Sequence, residues 1–190
     1  MLSQDPDFQY VSTNPCGEIP MASGNSCLLG SINLDQFVVN PFTDEAYIDL
    51  DKLRKVTDIA VRALNKVLDE GLPKHPLQEQ KDAVRDWRQI GLGIFGLADA
   101  LIKMEITYGS KQAIDFIHFM GSRLINSAIE ESAMLAKEFG TYPKYNELVL
   151  KSDFFRFVTT ARPDVVEVVN VEIPIYISEC NILSDKYEFI

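Results

Sequence analysis

Apolar residues recur every three or four positions over residues 50–70, which predicts an amphipathic helix there. The residues of the apolar face are Leu53, Val56, Ala60, Ala63, Leu64, Val67 and Leu68. Asp49 or Asp51 is suited to cap the start of this helix, and Gly71 is suited to its end. Pro73 then prevents the helix from continuing.

Two further stretches favour helices. Residues 110–139 carry a second helical stripe, which begins at Ser110 and is stopped by Gly140 and Pro143. Residues 87–104 are apolar almost all round in their central part, and their length favours a buried helix over a strand. The polar residues 74–86 are expected to form a linker between helices.

Strand signals are sparse and lie towards the two ends of the sequence. Prolines interrupt residues 1–48, so we expect loops with short strands there, one of them over 27–34. Residues 164–177 alternate and are rich in β-branched residues, and Pro174 confines such a strand to an edge or an end.

The overall pattern predicts a mainly α protein with a few short β-strands. Three segments are expected: a loop-rich segment 1–48, a helical segment 49–148, and a C-terminal segment 149–190 that contains the strand-like run.

Composition and charge narrow the classes of function. The chain has 190 residues, of which 46% are hydrophobic, an ordinary value for a globular protein. A net charge of −10 argues against a nucleic-acid partner, because a phosphate footprint requires clustered Lys and Arg. No apolar run reaches the roughly 18 residues of a membrane span. Three cysteines, an odd number, favour a reducing environment, and we expect a cytoplasmic protein.

The strongest chemical signal is the stretch Asn14-Pro15-Cys16-Gly17-Glu18. Alternate residues of an extended chain point the same way, so Asn14, Cys16 and Glu18 are expected to share one side of the loop. Together they offer a thiol, a carboxylate that can act as a base, and a carboxamide that can hold a hydroxyl. The motif alone leaves open a structural cysteine in a turn.

The other two cysteines carry weaker signals. Cys27 follows eleven residues after Cys16, a spacing that matches no zinc pattern. Taken alone, Cys27 is equally consistent with a small buried hydrophobe. Cys180 has no matching thiol nearby and is interpreted as incidental.

The histidines and one acidic cluster give no functional signal. Neither His75 nor His118 stands in a motif, so neither is expected to be a ligand or a catalyst. Three acidic residues of the predicted long helix are expected to form a solvated face: Glu130, Glu131 and Glu138.

Residues 91–96, Gly-Leu-Gly-Ile-Phe-Gly, fit the dinucleotide fingerprint G-x-G-x-x-G. That fingerprint requires a preceding strand and a β-α-β unit, whereas the preceding residues 82–88 are charged. We interpret the glycines as allowing a buried helix to pack tightly. A nicotinamide or flavin oxidoreductase is the disfavoured alternative.

Several collinear stretches resemble the large, catalytic subunit of ribonucleotide reductases. The cysteine motif and the run Cys27-Leu28-Leu29-Gly30-Ser31-Ile32-Asn33-Leu34 are similar to the active-site segment of that family. Other similar stretches follow in the family's order: Asn40-Pro41-Phe42-Thr43, Val67-Leu68-Asp69-Glu70, Trp87-Arg88-Gln89-Ile90-Gly91-Leu92-Gly93, Gly96-Leu97-Ala98-Asp99-Ala100-Leu101 and Tyr108-Gly109-Ser110. The likeness covers residues 8–158, and the Pro and Gly beside the cysteine look most like the adenosylcobalamin-dependent class.

The resemblance implies a segment of a ten-stranded α/β barrel that acts as a ribonucleoside-diphosphate reductase by thiyl-radical chemistry. It implies that Cys16 is the thiyl site, Glu18 the base, Asn14 the contact to a sugar hydroxyl and Cys27 a reductant thiol. It also implies adenosylcobalamin as cofactor and a ribonucleotide as substrate. The implied partners are a thioredoxin-like reductant and either complementary reductase segments or further copies of this chain.

The sequence departs from the family after about residue 158. Residues 165–177 stand where the family continues to its phosphate-binding loop, and the parts that would complete the barrel and the cobalamin site have no counterpart. We therefore expect the chain to be inactive alone, because positioning groups contribute much of an enzyme's rate. The alternative is a non-catalytic helical interaction module or a truncated relic.

Overall fold

Four helices and seven short strands make up the described part of the chain, which comprises residues 7–17, 19–146, 148 and 177–178 of a computed structural model. The helices are α1 Leu50–Gly71, α2 Gln78–Trp87, α3 Leu97–Lys103 and α4 Lys111–Phe139. The strands are β1 Ser12–Thr13, β2 Pro20–Met21, β3 Leu28–Asn33, β4 Val38–Val39, β5 Tyr47–Ile48, β6 Ile90–Phe95 and β7 Ile177–Ser178. The prediction of a mainly helical protein with a few short strands is confirmed.

The largest sheet is parallel and has the strand order β3-β6-β7. β3 and β6 pair along their whole length, from Leu28 opposite Ile90 to Asn33 opposite Phe95. α1 lies between these strands in the sequence and contacts both of them, so β3, α1 and β6 form a β-α-β unit. α4 packs on α1, which places α1 between the sheet and α4.

α1 confirms the prediction over 50–70, including its cap. The Asp49 carboxylate accepts a hydrogen bond of 2.9 Å from the backbone N–H of Lys52 and so satisfies one of the open donors at the helix start. The buried positions recur at helical spacing: Leu53, Thr57, Val61, Leu64, Asn65 and Leu68. The predicted helix from Ser110 to Phe139 is also confirmed as α4, with Ser110 as its N-cap.

The prediction of one helix over 87–104 is wrong. Residues 90–95 form β6, and α3 begins only at Leu97. In β6 the core residues Ile90 and Leu92 alternate with Gly91 and Gly93, so the run has no polar face. Hydrophobicity alone therefore could not separate this strand from a buried helix. Gly96, with φ +71°, makes the sharp turn between the two elements.

The glycine run therefore lies in a β-α-β unit, contrary to the expectation that none surrounds it. The dinucleotide interpretation still lacks support, because Gly91 and Gly93 are paired inside β6 rather than placed in a turn before a helix. The expectation that these glycines pack a buried helix is wrong for the same reason.

The expectation of a linker over 74–86 is also wrong, because α2 occupies residues 78–87. Val84 and Trp87 are buried on one side of this short helix, whereas most of its other residues are polar. Two apolar residues at i and i+3 can hold a short helix in place when they pack on a neighbouring surface. A mostly polar sequence gives no sign of that surface.

The acidic cluster of α4 is not the solvated face that was expected. Glu130 accepts from Arg54 of α1 at 2.8 Å, and Arg62 of α1 pairs with both Glu131 and Glu138. These ion pairs form a seam between α1 and α4. Burial raises the pKa of Glu131, and Arg62 opposes that shift.

Asp58 of α1 belongs to the same seam. Burial raises its pKa above the ordinary value of an aspartate, and the nearby Arg54 and Arg62 lower it by less. Folding therefore disfavours the ionised form of Asp58 relative to its protonated form.

The strand predicted over 164–177 lies almost wholly outside the described residues. Ile177 and Ser178 form β7, which pairs in parallel with Ile90 and Gly91 at the edge of the described sheet. The three predicted segments 1–48, 49–148 and 149–190 stay a prediction.

Candidate functional site

The cysteine motif forms the loop of a β-hairpin. β1 and β2 pair antiparallel, with Ser12 opposite Met21 and Thr13 opposite Pro20. Residues 14–19 connect them. Met21 is buried, so the returning strand is fixed to the body of the protein while the loop projects from it.

Asn14 closes this loop with three hydrogen bonds. Its N–H donates to the carbonyl of Ile19 at 3.1 Å, and its carbonyl accepts from the N–H of Gly17 at 3.0 Å. Its side-chain Oδ1 accepts from the N–H of Ile19 at 3.1 Å. Cys16 consequently lies at the tip of a short, tied loop, and its side chain is exposed.

The loop is a turn rather than the extended segment that was expected. The bond from Gly17 to the Asn14 carbonyl closes a four-residue turn, with Pro15 at the position where its fixed φ is favoured. The argument that alternate residues share one side therefore does not apply to Asn14 and Cys16. Glu18, the third member of the motif, lies outside the described residues, and the roles of all three stay a prediction.

The segment that precedes the hairpin is anchored by aromatic packing. Phe8 is buried and meets Trp87 of α2 edge-on, with ring centroids 4.8 Å apart. The Lys144 ammonium lies 3.2 Å from the Asp7 carboxylate. These contacts attach the N-terminal segment to residues far away in sequence.

Cys27 immediately precedes β3 and is half-buried in a cavity of about 380 Å³. The last turns of α1 form one wall, and Lys74, His75 and Pro76 form another. We call this cavity, lined by residues 26–28, 67–68, 71 and 74–76, the Cys27 pocket. It is the second place where the structure positions a thiol from the predicted site.

Sequence reasoning missed Lys74 and His75 as neighbours of Cys27. In a β-α-β unit the helix runs back along the sheet, so the residues after its end return to the start of the first strand. Recognition of a strand at 90–95 would have predicted this neighbourhood, whereas the linker interpretation concealed it.

A second cavity, of about 630 Å³, lies among α1, α2 and the end of α4. Three arginines line it: Arg62, Arg85 and Arg88. Each is already paired with a carboxylate, and Arg88 also donates to the Asn65 side chain at 2.6 Å. Arg62 and Arg88 therefore join different helices. Arg85 pairs within α2, and Lys66, which also lines the cavity, pairs with Glu70 of its own helix.

The sequence matches the family model described as ribonucleotide reductase, barrel domain, over residues 9–169. The chain belongs to this ribonucleotide reductase family. The match begins just before the hairpin and includes both thiols and the whole β-α-β unit.

Reductases of known name are similar to most of this chain. A vitamin B12-dependent ribonucleoside-diphosphate reductase of Thermoplasma acidophilum is 42% identical over 134 residues, 70% of this chain and 17% of that protein. The enzyme of the same name from Mycobacterium tuberculosis strain H37Rv is 37% identical over 136 residues, 72% of this chain and 18% of that protein. A ribonucleoside-diphosphate reductase subunit alpha of Chlamydia trachomatis is 39% identical over 147 residues, 75% of this chain and 13% of that protein.

This reductase-family chain thus spans less than a fifth of the length of these relatives. Two of the three are named as vitamin B12-dependent, and the third name states no cofactor.

Neither of the two cavities described above, of about 380 and 630 Å³, is lined by Cys16, so neither would place a corrin cofactor beside that thiol. Nor do three His, Cys, Asp or Glu side chains group as a metal site anywhere in the described ranges. None of the helices that the structure describes is long and apolar enough to span a bilayer.

Proposed function

We propose that this chain is the thiol-bearing segment of a ribonucleotide reductase barrel and reduces a ribonucleotide only when complementary segments complete the site. The observation that carries the proposal is Cys16, an exposed thiol at the tip of a hairpin loop tied by Asn14. A projecting loop with a fixed shape can place a sulfur inside a cavity built by other segments. The family membership supplies the reaction class.

In the proposed reaction Cys16, as a thiyl radical, takes the hydrogen atom from the 3′ carbon of the ribose. Glu18 removes the proton of the 3′ hydroxyl, and the 2′ hydroxyl leaves as water after it gains a proton. Cys27 and a second thiol from a complementary segment become a disulfide and provide two electrons and two protons, one proton for the departing hydroxyl and one for the 2′ carbon. Cys16 then returns the hydrogen atom to the 3′ carbon, which restores the radical for the next turnover.

Asn14 has a structural role in the loop besides its proposed contact to a sugar hydroxyl. Its Oδ1 accepts from the N–H of Ile19, so the side chain also helps to hold the loop that carries Cys16. Replacement of Asn14 should therefore disturb the loop as well as the substrate contact.

Adenosylcobalamin stays a proposal drawn from the names of two relatives. Neither described cavity would place it beside Cys16, so in this proposal other segments hold the group that generates the radical. A thioredoxin-like protein is the proposed source of electrons for the disulfide. The proposed whole is a ten-stranded α/β barrel, of which β3 and β6 would be neighbouring strands.

The test is a complementation assay. We expect the purified chain, supplied with a ribonucleoside diphosphate, adenosylcobalamin and a dithiol, to form no deoxynucleotide. Addition of the remaining segments of the Thermoplasma acidophilum relative should restore turnover. Cys16→Ser should then abolish it, whereas Cys180→Ser should leave it intact as a matched loss of one thiol.

The competing function is a non-catalytic helical interaction module or a truncated relic, and the exposed apolar side chains Leu29 and Phe95 of the sheet favour the module. Binding of the complementary segments without turnover, unaffected by Cys16→Ser, would support the module and contradict the reductase proposal. Turnover by the isolated chain would contradict the requirement for complementation.

A further inference from the structure

The loop between β4 and β5 holds a bulky residue in a strained conformation. Phe42 has a φ of +60°, in the left-handed region that large side chains rarely adopt. Two hydrogen bonds keep the backbone there. The Phe42 N–H donates to the carbonyl of Lys103 at the end of α3, at 2.7 Å, and the Thr43 hydroxyl donates to the Asn40 carbonyl at 2.8 Å. The loop is thereby fixed against the end of α3.

The strained residue does not belong to the core. The Phe42 side chain is 60% exposed, so packing inside the fold does not account for a phenylalanine at this position. Ile102, the residue before Lys103, is 62% exposed. Two large apolar side chains therefore lie exposed beside one backbone hydrogen bond, and we call residues 42 and 102 the Phe42 patch. Backbone strain that is kept at an exposed residue points to a role in binding.

Acidic side chains surround the Phe42 patch. Four of them are exposed: Asp44 and Glu45 in the loop, Asp99 on α3 and Glu105 just after α3. Asp99 stands three positions before Ile102, so these two share a face of the helix. None of the four acids forms an ion pair in the part of the chain that the structure describes. Lys103, beside the patch, is already paired with a carboxylate of the turn that follows β3.

We propose that the Phe42 patch docks a basic amphipathic helix of another protein. Phe42 and Ile102 contact the apolar face of that helix, and the four carboxylates attract the Lys and Arg side chains that flank it. The charge disfavours other occupants. A second copy of this chain would bring the same acidic surface, and nucleic acids and anionic lipid surfaces carry charge of the same sign. The net charge of −10 acts in the same direction.

The test measures the binding of a fluorescent model peptide to the full chain by anisotropy. The probe is a helical peptide of about 15 residues with leucine on one face and lysine on the other. A second peptide carries glutamine at every lysine position and is otherwise the same. In about 0.1 M salt, charges farther away than about 10 Å contribute little. We expect the lysine peptide to bind at least about tenfold more tightly than the glutamine peptide, the combined scale of several exposed charge interactions.

Phe42→Asn should weaken binding of the lysine peptide by at least about tenfold, because the apolar contact of the ring is lost. Asparagine tolerates the left-handed region better than phenylalanine, so this variant should unfold at the same or a higher temperature. Phe42→Gly relieves the strain fully and gives a second variant with the same expected loss of affinity. Phe139→Asn removes a comparably exposed ring from the last residue of α4 and should leave the affinity unchanged.

The acidic rim has its own pair of variants. Asp44→Asn combined with Glu45→Gln should weaken binding of the lysine peptide by about threefold or more. Asp82→Asn combined with Asp86→Asn removes the same charge from α2 and should have no effect.

Equal affinity for the two peptides would overturn the proposal, as would the absence of binding. An affinity that Phe42→Asn leaves unchanged would show general attraction of a cationic peptide to an acidic chain, which also overturns it. A lower unfolding temperature for both Phe42 variants would show that the ring supports the fold instead. The outcome is separate from nucleotide reduction, because no nucleotide or complementary segment is present.

Discussion

A side chain at Gly96 would collide with the sheet that precedes it. A Cβ there would lie 2.1 Å from the Asn33 Oδ1, and φ at this position is +71°. The Asn33 oxygen accepts from the N–H of Asp35 at 3.3 Å, so it is engaged in the turn that leaves β3. Neither the Gly96 backbone nor the Asn33 side chain can move away without a loss of stability.

We therefore expect Gly96→Ala to destabilise the chain by about 2–4 kcal/mol, from left-handed strain and overpacking together. Urea unfolding followed by circular dichroism measures the change. Gly71→Ala is the matched control, because its φ of −78° suits alanine and nothing lies within 4 Å of the added carbon. That control should be neutral or stabilise by up to about 1 kcal/mol. Equal losses in both variants would contradict the steric argument.

Single residues were predictable where their role is local. Asp49 and Ser110 cap their helices as the sequence indicated, because a cap depends on the three residues that follow it. Glu131 was not predictable, because its burial depends on Arg62 in another helix. The argument that Asn14 and Cys16 share one side does not apply, because a turn replaced the extended geometry that it assumed.

At the scale of elements, the seam between α1 and α4 contains two carboxyl groups whose ionised form is disfavoured by burial. Asp58 and Glu131 both have raised pKa values, with burial as the largest cause, and each is partly compensated by arginine. A carboxyl group whose folded pKa is raised binds its proton more tightly in the folded state. Its charge therefore destabilises the fold above that pKa, and the penalty disappears as the pH falls through it.

Asp58→Asn should consequently raise the melting temperature at pH 7, and its advantage over the unaltered chain should close as the pH falls towards 4. The amide keeps the shape of the carboxyl and removes the charge that burial opposes. Thermal unfolding at a series of pH values measures the difference. Asp115→Asn, on the exposed part of α4 where Asp115 pairs with Lys111, should give no gain at pH 7. A lower melting temperature for Asp58→Asn at pH 7 would show that the arginines outweigh burial.

Elements were predictable where one face is apolar and the other polar. α1 and α4 have such periodicity and appeared where expected, whereas β6 is buried on its core side and interrupted by glycines on the other. α2 is too polar to be recognised without Trp87 and Val84 in place. The predictions for 74–86 and 87–104 therefore failed because tertiary contacts decide short elements.

At the scale of the whole molecule, the decisive feature is a parallel sheet that the described helices cover on one face only. Ile32, Ile90 and Leu92 point towards α1 and are buried. On the opposite face of the same strands, Leu29 and Phe95 are 57% and 55% exposed. Parallel sheets are normally covered on both faces, so this face is suited to contact with another polypeptide.

We expect the isolated chain to self-associate through this face as its concentration rises. The double variant Leu29→Thr with Phe95→Thr should remain smaller in sedimentation velocity, because threonine suits a strand and removes the apolar contact. Ile59→Thr removes a comparably exposed residue from α1 and should not change association. If all three proteins sediment alike, the open face is not the contact.

The strand order of the sheet could not be predicted from the pattern of residues alone. The pairing of β3 with β6 joins residues about sixty positions apart, and no local pattern specifies such a partner. The family resemblance, carried by collinear motifs, indicated an α/β origin that periodicity alone did not.

The position of Cys27 makes the accessibility of its thiol sensitive to the packing of α1 on the sheet. Cys27 lies where the start of β3, the end of α1 and residues 74–76 meet. Detachment of that helix would add exposure to the half-buried Cys27 and leave the exposed Cys16 unchanged. A rise in labelling at position 27 relative to position 16, under conditions that loosen the fold, would thus report separation of the helix from the sheet without any engineered probe.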